Sequence, residues 1–130
     1  MENRRVLVDT SIVIDYLRSQ YRTETKFINL FKTNELCLST ISIFELFNGA
    51  TTPSKKQDIE TLCNGMEIID FNLNTAKIAS EIYRNLRLKN KMIEFRDILI
   101  SSTAIQYNLP IATLNIKHFE RIDNLQLFII

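Results

Sequence analysis

Three carboxylates stand where an ordinary surface acid does not belong. Asp9 ends the apolar run Val6-Leu7-Val8. Glu45 lies inside Ile41-Ser42-Ile43-Phe44-Glu45-Leu46-Phe47. Asp97 opens the uncharged stretch Ile98-Leu99-Ile100-Ser101-Ser102-Thr103-Ala104-Ile105. An ionised carboxylate with little water around it is costly unless something pairs with it, and a metal ion is a good partner. Hard Mg²⁺ or Mn²⁺ takes oxygen ligands and keeps several waters, so few carboxylates suffice. Each acid also has a plain local use. Asp9 stands where a helix cap belongs. Ser42 and Glu45 spell a capping box, in which Glu45 reaches back to the Ser42 N–H. Asp97 can interact with a helix N-terminal dipole, and Glu94 shares that end as a more solvated candidate. The outcome depends on whether the fold gathers the acids at one place.

The elements that must do so are legible as a pattern. Val6-Leu7-Val8 is a continuous, partly β-branched run, the mark of a strand buried on both faces in a parallel sheet. It stops at Asp9, with Thr10 and Ser11 as candidate N-caps, so Asp9 belongs at the carboxyl end of a central strand. In open α/β sheets, ligands bind there. A helix is expected over 11–19 with Ile12, Val13, Tyr16 and Leu17 inward, and a second over 23–32. Leu36-Cys37-Leu38 reads as a strand leading to a helix over 42–48, closed by Gly49 at the position after the cap. Pro53 opens a helix ending near Asn64-Gly65. A strand over 67–70 and a long helix over 74–89 follow, then a polar connection over 90–96 and a helix over 97–107. Strands are expected at 110–113 and 125–128. Strands alternating with helices imply an α/β fold, with a mostly parallel central sheet flanked by helices on both faces.

Composition sets bounds. The 130 residues are 45% hydrophobic and 24% charged, enough for one domain with a real core. Two Gly and two Pro leave no linker, and a net charge of +1 means any nucleic-acid surface must be local. Cys37 and Cys63 make no disulfide framework, and one His makes a Cys/His zinc site improbable on count alone. Cys37, between two leucines, reads as a small buried hydrophobe. No secretory leader is expected from Met-Glu-Asn-Arg-Arg. The uncharged residues 98–116 contain Ser, Thr, Gln, Asn and Pro110, and read as a buried helix plus a strand, with no membrane span.

Four segments, in order, resemble the PIN-domain nucleases and specifically the VapC-type toxins of bacterial toxin–antitoxin pairs. They are Val6-Leu7-Val8-Asp9-Thr10-Ser11, Ser39-Thr40-Ile41-Ser42-Ile43-Phe44-Glu45-Leu46 with Gly49-Ala50, Asp97-Ile98-Leu99-Ile100-Ser101-Ser102-Thr103-Ala104, and Thr113-Leu114-Asn115-Ile116-Lys117-His118-Phe119. The resemblance covers essentially the whole chain, 1–130 as a single PIN-like domain. It implies Asp9, Glu45 and Asp97 as ligands of Mg²⁺, with Mn²⁺ as a substitute. Thr113 and Asn115 would position the site by hydrogen bonding, with Thr10 and Glu94 auxiliary. His118 stands where a fourth acid often follows. It is a candidate for a ligand, for a contact to phosphate or water, or for a surface side chain.

The resemblance further implies an RNA substrate cut to a 5′-phosphate and a 3′-hydroxyl. It implies a homodimer, a VapB-like antitoxin in a toxin–antitoxin hetero-oligomer, and a cytoplasmic location without a membrane. Metal ions suit phosphodiester hydrolysis because they activate water and neutralise phosphate charge. Arg84, Arg87, Lys91 and Arg96 are candidate RNA contacts, the first three at helical spacing if the long helix continues. Lys117 and Arg121 are alternatives, and a solvated charged face is the bland reading of all of them. Phe27-Ile28-Asn29-Leu30-Phe31 reads as core before partner face. Two other functions compete: a non-catalytic PIN-like RNA-binding module, motivated by His118, and a phospho-receiver domain. The receiver wants a paired acid early in the chain, and the sequence lacks it.

Overall fold

The computed structural model describes residues 4–130. The first three residues, part of the stretch with no expected leader, lie outside it. Four strands form one sheet in the order β3-β2-β1-β4: β1 Arg4–Val8, β2 Asn34–Ser39, β3 Glu67–Ile69 and β4 Ile111–Ala112. Every pairing is parallel. Leu7 lies opposite both Cys37 and Ile111, and Ser39 lies opposite Ile69. The helices are α1 Thr10–Arg18, α2 Lys26–Thr33, α3 Thr40–Asn48, α4 Pro53–Asn64, α5 Leu73–Leu88, α6 Phe95–Gln106 and α7 Ile116–Phe119. No helix among the described residues is long and apolar enough to cross a membrane.

Alternation along the strands builds two cores. Leu7, Cys37, Ile69 and Ile111 face α5 and α6, where they meet Ala79, Ile82, Leu86, Ile98 and Ile100. Val6, Val8, Leu36, Leu38 and Ala112 face Ile12, Val13, Phe27, Leu30, Leu46 and Ile59 from α1 to α4. Phe27 and Leu30 are therefore core, as expected, while Phe31 is exposed. Parallel strands need crossover helices that run back against them. The N-termini of α1, α3 and α6 consequently collect at the carboxyl edge of the sheet. The Asp9 N–H donates to Ala112 O at 2.9 Å, aligning the ends of β1 and β4.

Several local expectations need correction. Helix α3 begins at Thr40, capped by Ser39, whose Oγ accepts from the Ile41 and Ser42 N–H groups. The Ser42–Glu45 capping box therefore does not form. Thr10 and Ser11 are not caps either: Asp9 holds the cap position, and its carboxylate makes no capping bond. Gly49 ends α3 at φ −87° with room for a Cβ, so it is not a left-handed glycine. That task falls to Asn90, Asn108 and Asn124, at φ 54°, 54° and 67°. Asn tolerates the left-handed region better than other non-glycine residues.

Helix α5 stops at Leu88. Asn90 turns the chain so that the Lys91 N–H reaches Leu86 O at 2.9 Å, and Lys91 lies off the helical face of Arg84 and Arg87. Helix α6 starts at Phe95, two residues before the expected start, and 116–119 form the short helix α7. The expected strand over 125–128 reduces to one bridge, Leu127 to Ile111, because its neighbour β4 is only two residues long.

Candidate active site

The carboxyl edge gathers Asp9 from the end of β1 and Asp97 from the first turn of α6, both almost fully buried at 2% and 3% exposure. Asp9 Oδ2 accepts from Ser11 Oγ at 2.7 Å and from Thr113 Oγ1 at 2.8 Å. Both hydroxyls are held in turn, Ser11 by the Leu114 N–H and Thr113 by the Asn115 N–H. Thr113 thus positions the site through its side chain. Asn115 does so through its backbone, and its own side chain makes no hydrogen bond among the described residues. Ser11, read from the sequence as a cap, is instead an orienting hydroxyl. A hydroxyl two residues after an acid at a strand end is the signal that could have found it.

Asp97 Oδ2 lies 3.1 Å from His118 Nδ1. His118 thus approaches a candidate ligand from α7. With Nδ1 turned to Asp97, its other nitrogen remains for a further contact. Burial pushes the Asp97 carboxyl above its usual range. His118 opposes that, the Asp9 charge adds to it, and Arg96 and the His118 charge oppose it further.

Glu45 stands slightly apart. Its side chain is 14% exposed, and each oxygen is engaged. Thr10 Oγ1 lies 2.9 Å from Oε1 and 2.8 Å from Ser42 Oγ. Each hydroxyl has one proton, so Ser42 donating to Thr10, and Thr10 to the carboxylate, satisfies all three. Oε2 accepts from Arg96 Nη1 at 2.8 Å, while Arg96 Nε lies 3.0 Å from Glu94 Oε2. Burial works against the Arg96 charge, but Glu45, Glu94 and Asp97 outweigh it and raise its pKa. Arg84, Arg87 and Lys91 are exposed and make no hydrogen bond or ion pair with the acidic edge, and Lys117 is exposed on α7 beside His118.

Among the described residues, no three acid, His or Cys side chains converge as a ready-made metal set. Glu45 is turned toward Arg96, which takes its Oε2. The donor chemistry nonetheless fits a hard divalent ion. Oδ1 of Asp9 and Oδ1 of Asp97 accept no hydrogen bond among the described residues. No side-chain polar atom there is both buried and unpartnered, so these oxygens open onto accessible space. Two nearly buried carboxylates that repel each other, each with an open oxygen, favour a shared cation. Asp9 and Asp97 can hold it, and Glu45 can add Oε2 once Arg96 releases it.

The family model for the PIN domain matches residues 6–125. The chain belongs to the PIN-domain family. This PIN domain is 31% identical over 121 residues to Ribonuclease VapC1 of Methanocaldococcus jannaschii, covering 93% of the chain and 83% of that protein. It is 35% identical over 100 residues to Ribonuclease VapC2 of Rickettsia felis, covering 74% and 75%. It also superposes on a crystal structure of VapBC2 from Rickettsia felis bound to a DNA fragment from their promoter. That match has a TM-score of 0.81 and 29% identity, over 95% of this chain and 97% of that one.

Proposed function

We propose that this PIN domain is the endoribonuclease toxin of a toxin–antitoxin pair, hydrolysing RNA phosphodiester bonds with Mg²⁺ or Mn²⁺. It would act in the cytoplasm as a homodimer restrained by a VapB-like antitoxin, with residues 1–130 as one domain. The observation that carries the reading is the pair Asp9 and Asp97, buried together at the sheet edge with one oxygen of each left open. The VapC names of its relatives support the RNA substrate, and the VapBC complex supports the antitoxin.

When bound, the ion would supply activated water at neutral pH and neutralise charge on the phosphate. The chain's own groups do the positioning. Ser11 and Thr113 orient Asp9, His118 orients Asp97, and Thr10 with Ser42 orients Glu45. Glu45, held away by Arg96, also favours a second reading as a non-catalytic RNA-binding module. Cleavage of total RNA with Mg²⁺, Mn²⁺ or a chelator decides between them. The expected result is cleavage that the chelator abolishes, with Glu45→Gln folded and at least about a hundredfold slower, the usual scale for a lost electrostatic group. RNA bound but never cut in either metal would favour the binding module.

A further inference from the structure

The pairing of Arg96 with Glu45 joins residues 51 positions apart, and its two partners differ sharply in exposure. Glu45 is 14% exposed, whereas the Arg96 side chain is 53% exposed. An acid that cannot leave is thus held by a cation that can. Arg96 precedes Asp97 on the first turn of α6, so the helix that delivers one metal-ligand candidate also delivers the cation engaging another. Glu94 steadies the guanidinium from the solvent side at Nε, and Nη2 makes no hydrogen bond among the described residues.

Asp9, Glu45 and Asp97 place three acids at the edge. Arg96 bonds Glu45 there, and His118 bonds Asp97. A planar guanidinium suits a phosphate as well as it suits a carboxylate.

We propose that Arg96 is a built-in counter-ion that holds Glu45 out of the metal site and exchanges places with the divalent cation. Released from Glu45, Arg96 turns to the phosphate of the RNA. The inference rests on the metal-site reading above. It makes Arg96 a positioning residue, acting through Glu45 before substrate arrives and binding phosphate afterwards. Glu45 Oε1 keeps its bond from Thr10 through the exchange, so only Oε2 changes partner.

The test uses full-length protein without RNA and follows Mn²⁺ binding by calorimetry in wild type, Arg96→Gln and Arg96→Lys. Circular dichroism checks the fold of each. Arg96→Gln removes the competitor and should bind Mn²⁺ about twofold to fivefold more tightly, the range expected for a partly exposed ion pair. Arg96→Lys should fall between the two. With saturating metal, Arg96→Gln should raise KM for a single-stranded RNA severalfold and leave kcat within about threefold. It should also lower the salt slope of RNA binding by about one phosphate contact. A direct readout is the Arg96 Nη–H resonance, assigned by its loss in Arg96→Lys, which should move toward the free-arginine position when Mg²⁺ is added. Wild type that binds Mn²⁺, with Arg96→Gln binding no more tightly and the resonance unmoved, overturns the exchange alone. Wild type that takes up no Mn²⁺ overturns the metal reading and the exchange with it.

Discussion

At the scale of single residues, the site is a set of acids held under repulsion by hydroxyls, one imidazole and one guanidinium. Asp97 carries the clearest consequence, because burial first, and then the Asp9 charge, push its carboxyl pKa up. A raised carboxyl pKa in the folded state means the metal-free fold is most stable below the unfolded value. It loses stability as pH rises through the folded one. Asp97→Asn removes that cost while its amide oxygen still accepts from His118. The metal-free variant should therefore melt higher than wild type at pH 7, by about 3–5 °C for a gain on the order of 1 kcal/mol. Wild type should gain further stability in millimolar Mn²⁺, since an ion binding only the folded state stabilises by mass action. Asp97→Asn should lose most of that gain. A thermal melt of both proteins with and without Mn²⁺ reads all four values, and an Asn variant that melts lower without metal would contradict the account.

At the scale of elements, the left-handed turns that follow α5 and α6 are made without glycine. Asn90 closes α5 with a left-handed residue and a Lys91 N–H to Leu86 O bond, and Asn108 closes α6 in the same way, with Leu109 N–H to Ala104 O at 2.9 Å. These two turns set where α5 hands over to the connection before α6, and where α6 hands over to β4. Asn90→Gly should be neutral within about 0.5 kcal/mol or stabilising, because glycine adopts this conformation at no steric cost. Asn90→Val should destabilise by about 1–2 kcal/mol, the strain of a β-branched residue at positive φ. Urea titration of the two variants measures the difference, and equal midpoints would refute it. The asparagines are visible in the sequence, but reading them as helix stops requires knowing that the neighbouring carbonyls at Leu86 and Ala104 lack other partners.

At the scale of the whole molecule, one parallel sheet separates two cores, and Cys37 lies fully buried in one of them. Burial first, and the nearby Glu67 charge second, push its thiol up to about 11. In the unfolded chain the thiol ionises near the ordinary value, so stability falls as pH rises from about 9 toward 11, by at most about 3 kcal/mol. Cys63 is only partly buried. A thiol reagent at pH 8 should therefore modify Cys63 first and Cys37 at the rate of global unfolding, which a time course in increasing urea will resolve. Fast labelling of both thiols in native buffer would show that the sheet opens locally.

The sequence by itself determined the α/β class, the parallel β1, the end of that strand at Asp9 and the burial of Cys37 and Phe27. Each of these follows from apolar runs and their punctuation, which are local. It also marked Asp9, Glu45 and Asp97 as acids in apolar settings, while leaving a capping role open for the first two. Only the tertiary structure decided against those caps: Ser39 had already capped α3, and the Asp9 carboxylate was taken by Ser11 and Thr113, the latter 104 residues away. It alone shortened the expected last strand to a bridge, because the length of β4 limits what can pair beside it. It alone set Arg96 against Glu45 and His118 against Asp97. Such pairings depend on which helix N-termini the crossovers bring to the sheet edge, and no spacing along the chain encodes that distance.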